Sequence, residues 1–158
     1  MRLRKVPIVI AAFCLVLCCQ MTALAQGGWD VWTIHLRDGS RIDAAPVWSL
    51  NEKVLKYGMS GEVGEGKQLQ RSEIVSMSRN VAAGRTDPSR PELPQGDVEK
   101  DLVIMDDGRQ VSGTVLIRAI KDDSGKIQYF APVLVQNGVE TDLRKVEHIK
   151  LAKPKRAS

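Results

Sequence analysis

Ile34-His35-Leu36-Arg37-Asp38-Gly39-Ser40-Arg41-Ile42 and Val103-Ile104-Met105-Asp106-Asp107-Gly108-Arg109-Gln110-Val111 carry one pattern. In each, apolar residues lead into an Asp-Gly pair, and another apolar residue follows three positions after the glycine. Asp-Gly between extended apolar runs specifies a tight β-hairpin, because glycine reaches the positive φ that such turns require without steric cost. Two copies therefore predict two small β units. Gly39 and Gly108 are 69 residues apart, whereas Ile74 and Val146, like Met77 and Ile149, are 72 apart. Only a few inserted residues separate the copies.

Upstream of the first turn, Trp32, Ile34 and Leu36 alternate with Thr33, His35 and Arg37. That is the period of a half-buried strand, and it places Trp32 in the core. Downstream, Ile42 to Trp48 continues as a second strand interrupted by Pro46, which cannot donate to a ladder and marks an edge or a bulge. Asn51-Glu52 turns the chain into a third strand, 53 to 57, and Gly58, Gly61, Gly64 and Gly66 make a loop without phosphate-cradle spacing. Leu69 and Gln70, a helical turn at Arg71-Ser72-Glu73 and a strand from Ile74 to Met77 close the unit. The second unit runs in parallel: strand Leu102 to Met105, a long strand from Val111 to Ala119, a turn at Asp122 to Gly125, a strand Ile127 to Val135, a tight Asn137-Gly138 hairpin, a short strand Val139 to Thr141, a helical turn at Leu143-Arg144-Lys145 and a last strand Val146 to Leu151.

Between the units, Pro88, Pro91 and Pro94 recur every three positions while apolar residues thin out, the composition of an extended, poorly packed connector. The N-terminus reads as a leader. Arg2, Arg4 and Lys5 precede an apolar run from Val6 to Cys19, and Ala23-Leu24-Ala25 is a small-x-small cleavage site, so Gln26 begins the mature chain. A retained anchor is the competing reading, against which the run is shorter than the roughly 20 residues that span a bilayer. A lipoprotein is a third, with Cys14, Cys18 and Cys19 in the leader, but Phe13, Leu17 and Cys18 hold the places where a small residue belongs. The expected organisation is a signal peptide (1–25), a first β module (26–79), a Pro-rich linker (80–100), a second β module (101–152) and a basic tail (153–158).

Losing the leader changes the global numbers. It takes all three cysteines, so no disulfide forms, and three of the 23 basic residues but none of the 19 acidic ones, so net charge falls from +4 to +1. The basic character thus belongs to the leader and gives no argument for nucleic acid.

Each unit amounts to about five short strands in roughly 50 residues, and a sheet that small leaves apolar surface exposed unless it curls or stacks. Strand, Asp-Gly turn, long bent strand, hairpin, helical turn and last strand resemble SH3-like and Sm-like small barrels. The chain is more closely similar to short modules of unassigned role in exported bacterial proteins, through Ile34, Leu36, Asp38, Gly39, Trp48, Arg71, Ser72, Glu73 and Ile74. The second unit lacks the Trp and the Arg-Ser-Glu. The expected fold is all-β: two tandem antiparallel SH3-like barrels of about five strands joined by the linker. The resemblance rests on turn and core residues and implies no chemistry.

Candidate sites are few. Trp29, Trp48 and Tyr57 form a candidate binding face, since aromatics on an open sheet face stack on a glycan or a peptide; filling a small core is the alternative use of the same residues. His35 and His148 lack metal-ligand spacing and read as surface residues. Asp106-Asp107-Gly108 and Asp122 to Gly125 lack the alternating acids and the closing glutamate of a calcium loop, and turn chemistry accounts for them. No nucleophile elbow, Walker loop or dinucleotide fingerprint occurs, so no catalytic, cofactor or metal residue is assigned. Lys150, Lys153, Lys155 and Arg156 form a basic C-terminus that either contacts anionic lipid peripherally or is solvated. The expectation is an exported, periplasmic or secreted binding protein without enzymatic activity, recognising a protein or envelope polymer through a sheet edge or the Trp-bearing face. A scaffold whose two modules pack on each other is the alternative, and a small envelope hydrolase the least favoured.

Overall fold

The computed structural model describes residues 30–58, 66–80 and 90–154. The leader and its cleavage site, Trp29, most of the glycine loop, Pro88, Lys155 and Arg156 lie outside the described residues. The chain is all-β. Its strands are β1 (Val31–Leu36), β2 (Arg41–Leu50), β3 (Val54–Tyr57), β4 (Lys67–Gln70), β5 (Ile74–Arg79), β6 (Asp101–Met105), β7 (Gln110–Lys121), β8 (Ile127–Gln136), β9 (Val139–Asp142) and β10 (Val146–Lys150).

The ten strands form one antiparallel sheet in the order β4-β3-β2-β1-β5-β10-β6-β7-β8-β9, with β2 also pairing with β7. That order is palindromic: exchanging β1 to β5 for β6 to β10 leaves it unchanged. Two separate barrels were expected, and a single sheet is found. The last strands of the two halves pair directly, Met77 with Ile149 and Ser78 with His148, so each half covers the surface the other cannot cover alone. The two long strands also bend from one ladder into another: Arg41 to Pro46 of β2 pairs with β1 while Val47 to Leu50 pairs with β3, and β7 divides likewise between β6 and β8. The bent strands meet at Leu50 and Ile117.

Strand pairing arranges side chains in rows, because directly opposed residues share a face. One row crosses six strands, Ile42-Ile34-Met77-Ile149-Val103-Val111, and its four central members are fully buried. Around it lies one apolar cluster containing residues from both halves, including Trp32, Leu50, Leu55, Ile117, Phe130 and Leu143. Each fully buried aliphatic side chain of this kind contributes about 1.5–3 kcal/mol. The rows on either side occupy the opposite face of the sheet and are polar on β1, β5 and β10 but aliphatic on β6, Thr33-Ser78-His148-Ile104 and His35-Ser76-Lys150-Leu102.

The turns form as the sequence requires. Gly39 and Gly108 have φ of 87° and 83°, and Asn137 and Gly138 are both left-handed at 51° and 78°, the twist that a two-residue hairpin needs. Pro46 lies inside β2, between β1 and β3, so the bulge reading holds rather than the edge: the register slips between Trp32 and Ile34, and Ala44 adopts φ 53°. The helical turn at Arg71–Glu73 is a 3-10 turn fixed by a capping box, in which Gln70 N–H donates to Glu73 Oε2 at 2.9 Å. Its expected counterpart at Leu143-Arg144-Lys145 is irregular, with Lys145 at φ 59°. Lys145 stands where the first half has Glu73, and an ammonium cannot accept the backbone N–H that closes the box.

Residues 90–100, read from composition as part of a poorly packed connector, contact the sheet. Arg90 pairs with Glu147, Pro91 O and Pro94 O accept hydrogen bonds from His148 and Lys150, and Lys153 N–H approaches Val98 O at 3.4 Å. A segment that forms no ladder leaves its carbonyls free to accept from side chains, and it here lies along β10.

Candidate functional site

Arg71, in the 3-10 turn, reaches from the first half into the second. One guanidinium nitrogen, Nη1, donates to Asn51 O and to Val115 O, each at 2.9 Å, and Nη2 pairs with Asp101 Oδ2. The Asp101 side chain, 5% exposed, is saturated: Oδ2 also accepts from Val115 N–H and Oδ1 from Ala152 N–H, both at 2.8 Å. The pair ties together the 3-10 turn, the start of β6, the middle of β7 and the end of β10. It also floors an open groove of about 950 Å³ lined by side chains including Lys53, Gln70, Lys100, Thr114, Gln136 and Lys153. The walls are polar and carry both signs of charge, suited to multiple hydrogen bonds and not to an apolar ligand.

Gln136 and Asn137 lead from the groove into β9, whose four residues are all exposed, Val139 at 64%. Among the described residues β9 pairs only with β8. The residues flanking a two-residue hairpin exchange both their hydrogen bonds, so Val139 and Thr141 point their backbone groups at β8, as Leu143 N–H does at Pro132 O (2.9 Å). Glu140 and Asp142 direct theirs outward.

A second polar cluster lies on the outer face of β10 beneath residues 90–98. Pro91 O can only accept, so His148 Nε2 carries the proton and donates to it at 2.8 Å, leaving Nδ1 to accept from the Ser78 hydroxyl at 2.8 Å. Burial pushes the His148 pKa below the ordinary histidine value, and the Arg90 and His35 charges act the same way, while the Pro91 hydrogen bond and Glu147 oppose them.

The aromatic face divides. Trp48 is 8% exposed and belongs to the core cluster, with Lys56 Nζ 5.4 Å from its ring centroid. Tyr57 is half-buried against the same cluster. The two meet at Gly66, where a Cβ would lie 2.5 Å from Tyr57 O and 2.9 Å from Trp48 Nε1, so only glycine fits. Little of the indole remains for a partner, because the small core uses it, and Trp29 lies outside the described residues. His148 is a second correction: expected on the surface, it is 7% exposed because the Pro-rich segment covers it, whereas His35 is half-buried. Lys150, expected either to touch lipid peripherally or to be solvated, is 5% exposed and donates to Pro94 O, while Lys153 is exposed and paired with Asp97 at 3.1 Å. The acidic stretches make turns: Asp122 Oδ1 accepts from Ser124 N–H and Lys126 N–H, and Asp107 Oδ1 from Arg109 N–H. Among the described residues no helix is long and apolar enough to cross a membrane.

Sequence reading missed the Arg71–Asp101 pair, whose members are 30 residues apart and share no local motif. One signal was present. Asp101 stands 69 residues after Trp32, the same offset as the two turn glycines, so a carboxylate occupies a core-phase position and needs a buried cation. The chain matches no family model, no curated protein and no solved structure.

Proposed function

We propose that the protein is an exported, non-enzymatic binding protein that recognises an extended protein segment or an envelope polymer at the free edge of its sheet. The observation that carries this reading is β9: a fully exposed edge strand with outward backbone groups at Glu140 and Asp142, beside a polar groove. An extended chain added there gains backbone hydrogen bonds from β9 and side-chain hydrogen bonds from the groove. Export rests on the leader, and the resemblance of each half to SH3-like or Sm-like barrels is supported by its strand succession, β5-β1-β2-β3-β4 repeated as β10-β6-β7-β8-β9. The Trp-bearing face is the less supported docking surface, given the burial of Trp48.

Asp142→Pro tests the edge. It removes an outward N–H and leaves the β8–β9 ladder intact. Partners cross-linked to the unaltered protein in an envelope extract are expected to be lost with D142P at unchanged thermal stability; identical partner lists for the two proteins would discard the edge. A scaffold role is the second reading, favoured by the one core that the halves share. It predicts no partner for either protein.

A further inference from the structure

We infer that residues 90–98 are a pH-operated strap, closed over β10 while His148 is neutral and released when His148 takes up a second proton. The strap is fastened by side chains of β10. His148 Nε2 donates to Pro91 O, Lys150 Nζ donates to Pro94 O, and Glu147 receives Arg90, so three residues of a single strand hold a segment with no ladder of its own. Asp97 fixes the far end through Lys153 at 3.1 Å and Arg37 at 3.7 Å. Ile104 lies opposite His148 in the ladder and so shares its face; it is fully buried yet stands outside the main core cluster.

The groups facing the imidazole decide the direction of the switch. From β5 comes the Ser78 hydroxyl, from the strap Pro91 O and the Arg90 guanidinium, from β1 His35, from β6 the uncharged Ile104, and from β10 itself Glu147 and, two residues on, the buried Lys150. Glu147 is the one anion in this group, and Arg90 already occupies it. A proton on Nδ1 thus adds a cation beside the half-buried Arg90 and the buried Lys150, and forces the Ser78 hydroxyl to turn from donor to acceptor. Lifting the strap readmits water to His148 and Lys150, the two that it buries. With the strap closed, His148 binds its proton less readily than an open imidazole does, so by linkage protonation favours the open form. Each pH unit by which its midpoint lies below the ordinary value corresponds to a tenfold shift of the closed–open equilibrium.

The device goes beyond the edge reading, since the strap covers the outer face of β10, whereas β9 is a sheet edge; its test does not depend on any partner. Nuclear magnetic resonance of the full chain, from about pH 8 to about pH 5 where histidines titrate, follows the His35 and His148 ring signals together with the backbone amides of Leu93 and Val98. Both amides are expected to move with the His148 midpoint, below that of an ordinary histidine. In His148→Gln, which keeps a donor for Pro91 O and an acceptor for Ser78 but cannot gain a proton, they should stay flat across that range. Strap amides that hold still while His148 titrates, that follow His35, or that show the same transition in H148Q would overturn the proposal. Should H148Q fold poorly, the comparison of midpoints in the unaltered protein decides alone.

Discussion

Arg71 and Asp101 each place a charge where the equivalent position of the other copy carries an apolar side chain. By the offsets of the two copies, Asp101 corresponds to Trp32 and Arg71 to Leu143, and both of those are buried in the core cluster. A buried ion pair gains little over an apolar pair, but breaking one from a single side is costly because the remaining charge keeps no partner. Arg71→Met is therefore expected to lower the unfolding free energy by about 3–5 kcal/mol, leaving the Asp101 carboxylate with only two backbone donors. Asp101→Asn strands the Arg71 cation instead, but that cation keeps Asn51 O and Val115 O as acceptors and the asparagine keeps an oxygen for Val115 N–H or Ala152 N–H, so it should cost less. Denaturant unfolding of the two variants checks the order, and equal losses would mean that the pair acts only by packing. A core-phase residue of the wrong polarity was the visible trace of this contact. Its partner was not legible, because nothing local links positions 71 and 101. His148 and Lys150 were misread for the opposite reason: they lie on the polar side of their strand, and what buries them is a proline segment whose composition resembles solvent-exposed chain.

Hairpins were the most legible elements, because their chemistry lies within five consecutive residues. Asp38 Oδ1 accepts both the Ser40 N–H at 2.9 Å and its hydroxyl at 2.6 Å, and Asp107 and Asp122 anchor their own turns in the same way. These hydrogen bonds hold all three carboxyls below the ordinary carboxylate range, Asp38 and Asp122 chiefly through Ser40 and Ser124 and Asp107 through the Arg109 N–H. A carboxyl whose folded pKa lies below its unfolded one stabilises the fold fully above the unfolded pKa, and that contribution disappears as pH falls through the folded value. The turns should accordingly loosen as pH falls below the ordinary carboxylate range. Asp38→Asn is expected to flatten the acid dependence of stability below the ordinary carboxylate range; a variant with the parent's full acid slope would show that the turn hydrogen bonds do not contribute. The 3-10 turn marks where element reading by analogy stopped. The two halves match in strand order, yet the difference between Glu73 and Lys145 decides whether the turn closes.

At the scale of the whole molecule, the sequence described two modules and a connector, and the chain folds as one sheet over one core. Local pattern specifies which residues face inward but not which half supplies the facing surface, and the answer lies in β5 pairing with β10 and β2 with β7. The arrangement has a thermodynamic consequence that separates it from two tethered modules. Trp29, Trp32 and Trp48 all belong to the first half, so tryptophan fluorescence reports that half alone. Ile149 belongs to the second half and sits, fully buried, in the row that joins the two. Ile149→Ala should cost about 2–5 kcal/mol, as a deleted core aliphatic does. In one cooperative unit the loss moves every probe by the same amount, so the fluorescence midpoint in urea falls together with that of far-ultraviolet circular dichroism. Independent modules would leave the fluorescence transition of I149A where it is in the parent, with the loss confined to a second transition silent to tryptophan. Coincident shifts would mean that the edge strand, the groove and the strap all rest on a single folding equilibrium, so that a change on β10 reaches the groove floor through Asp101 and Ala152.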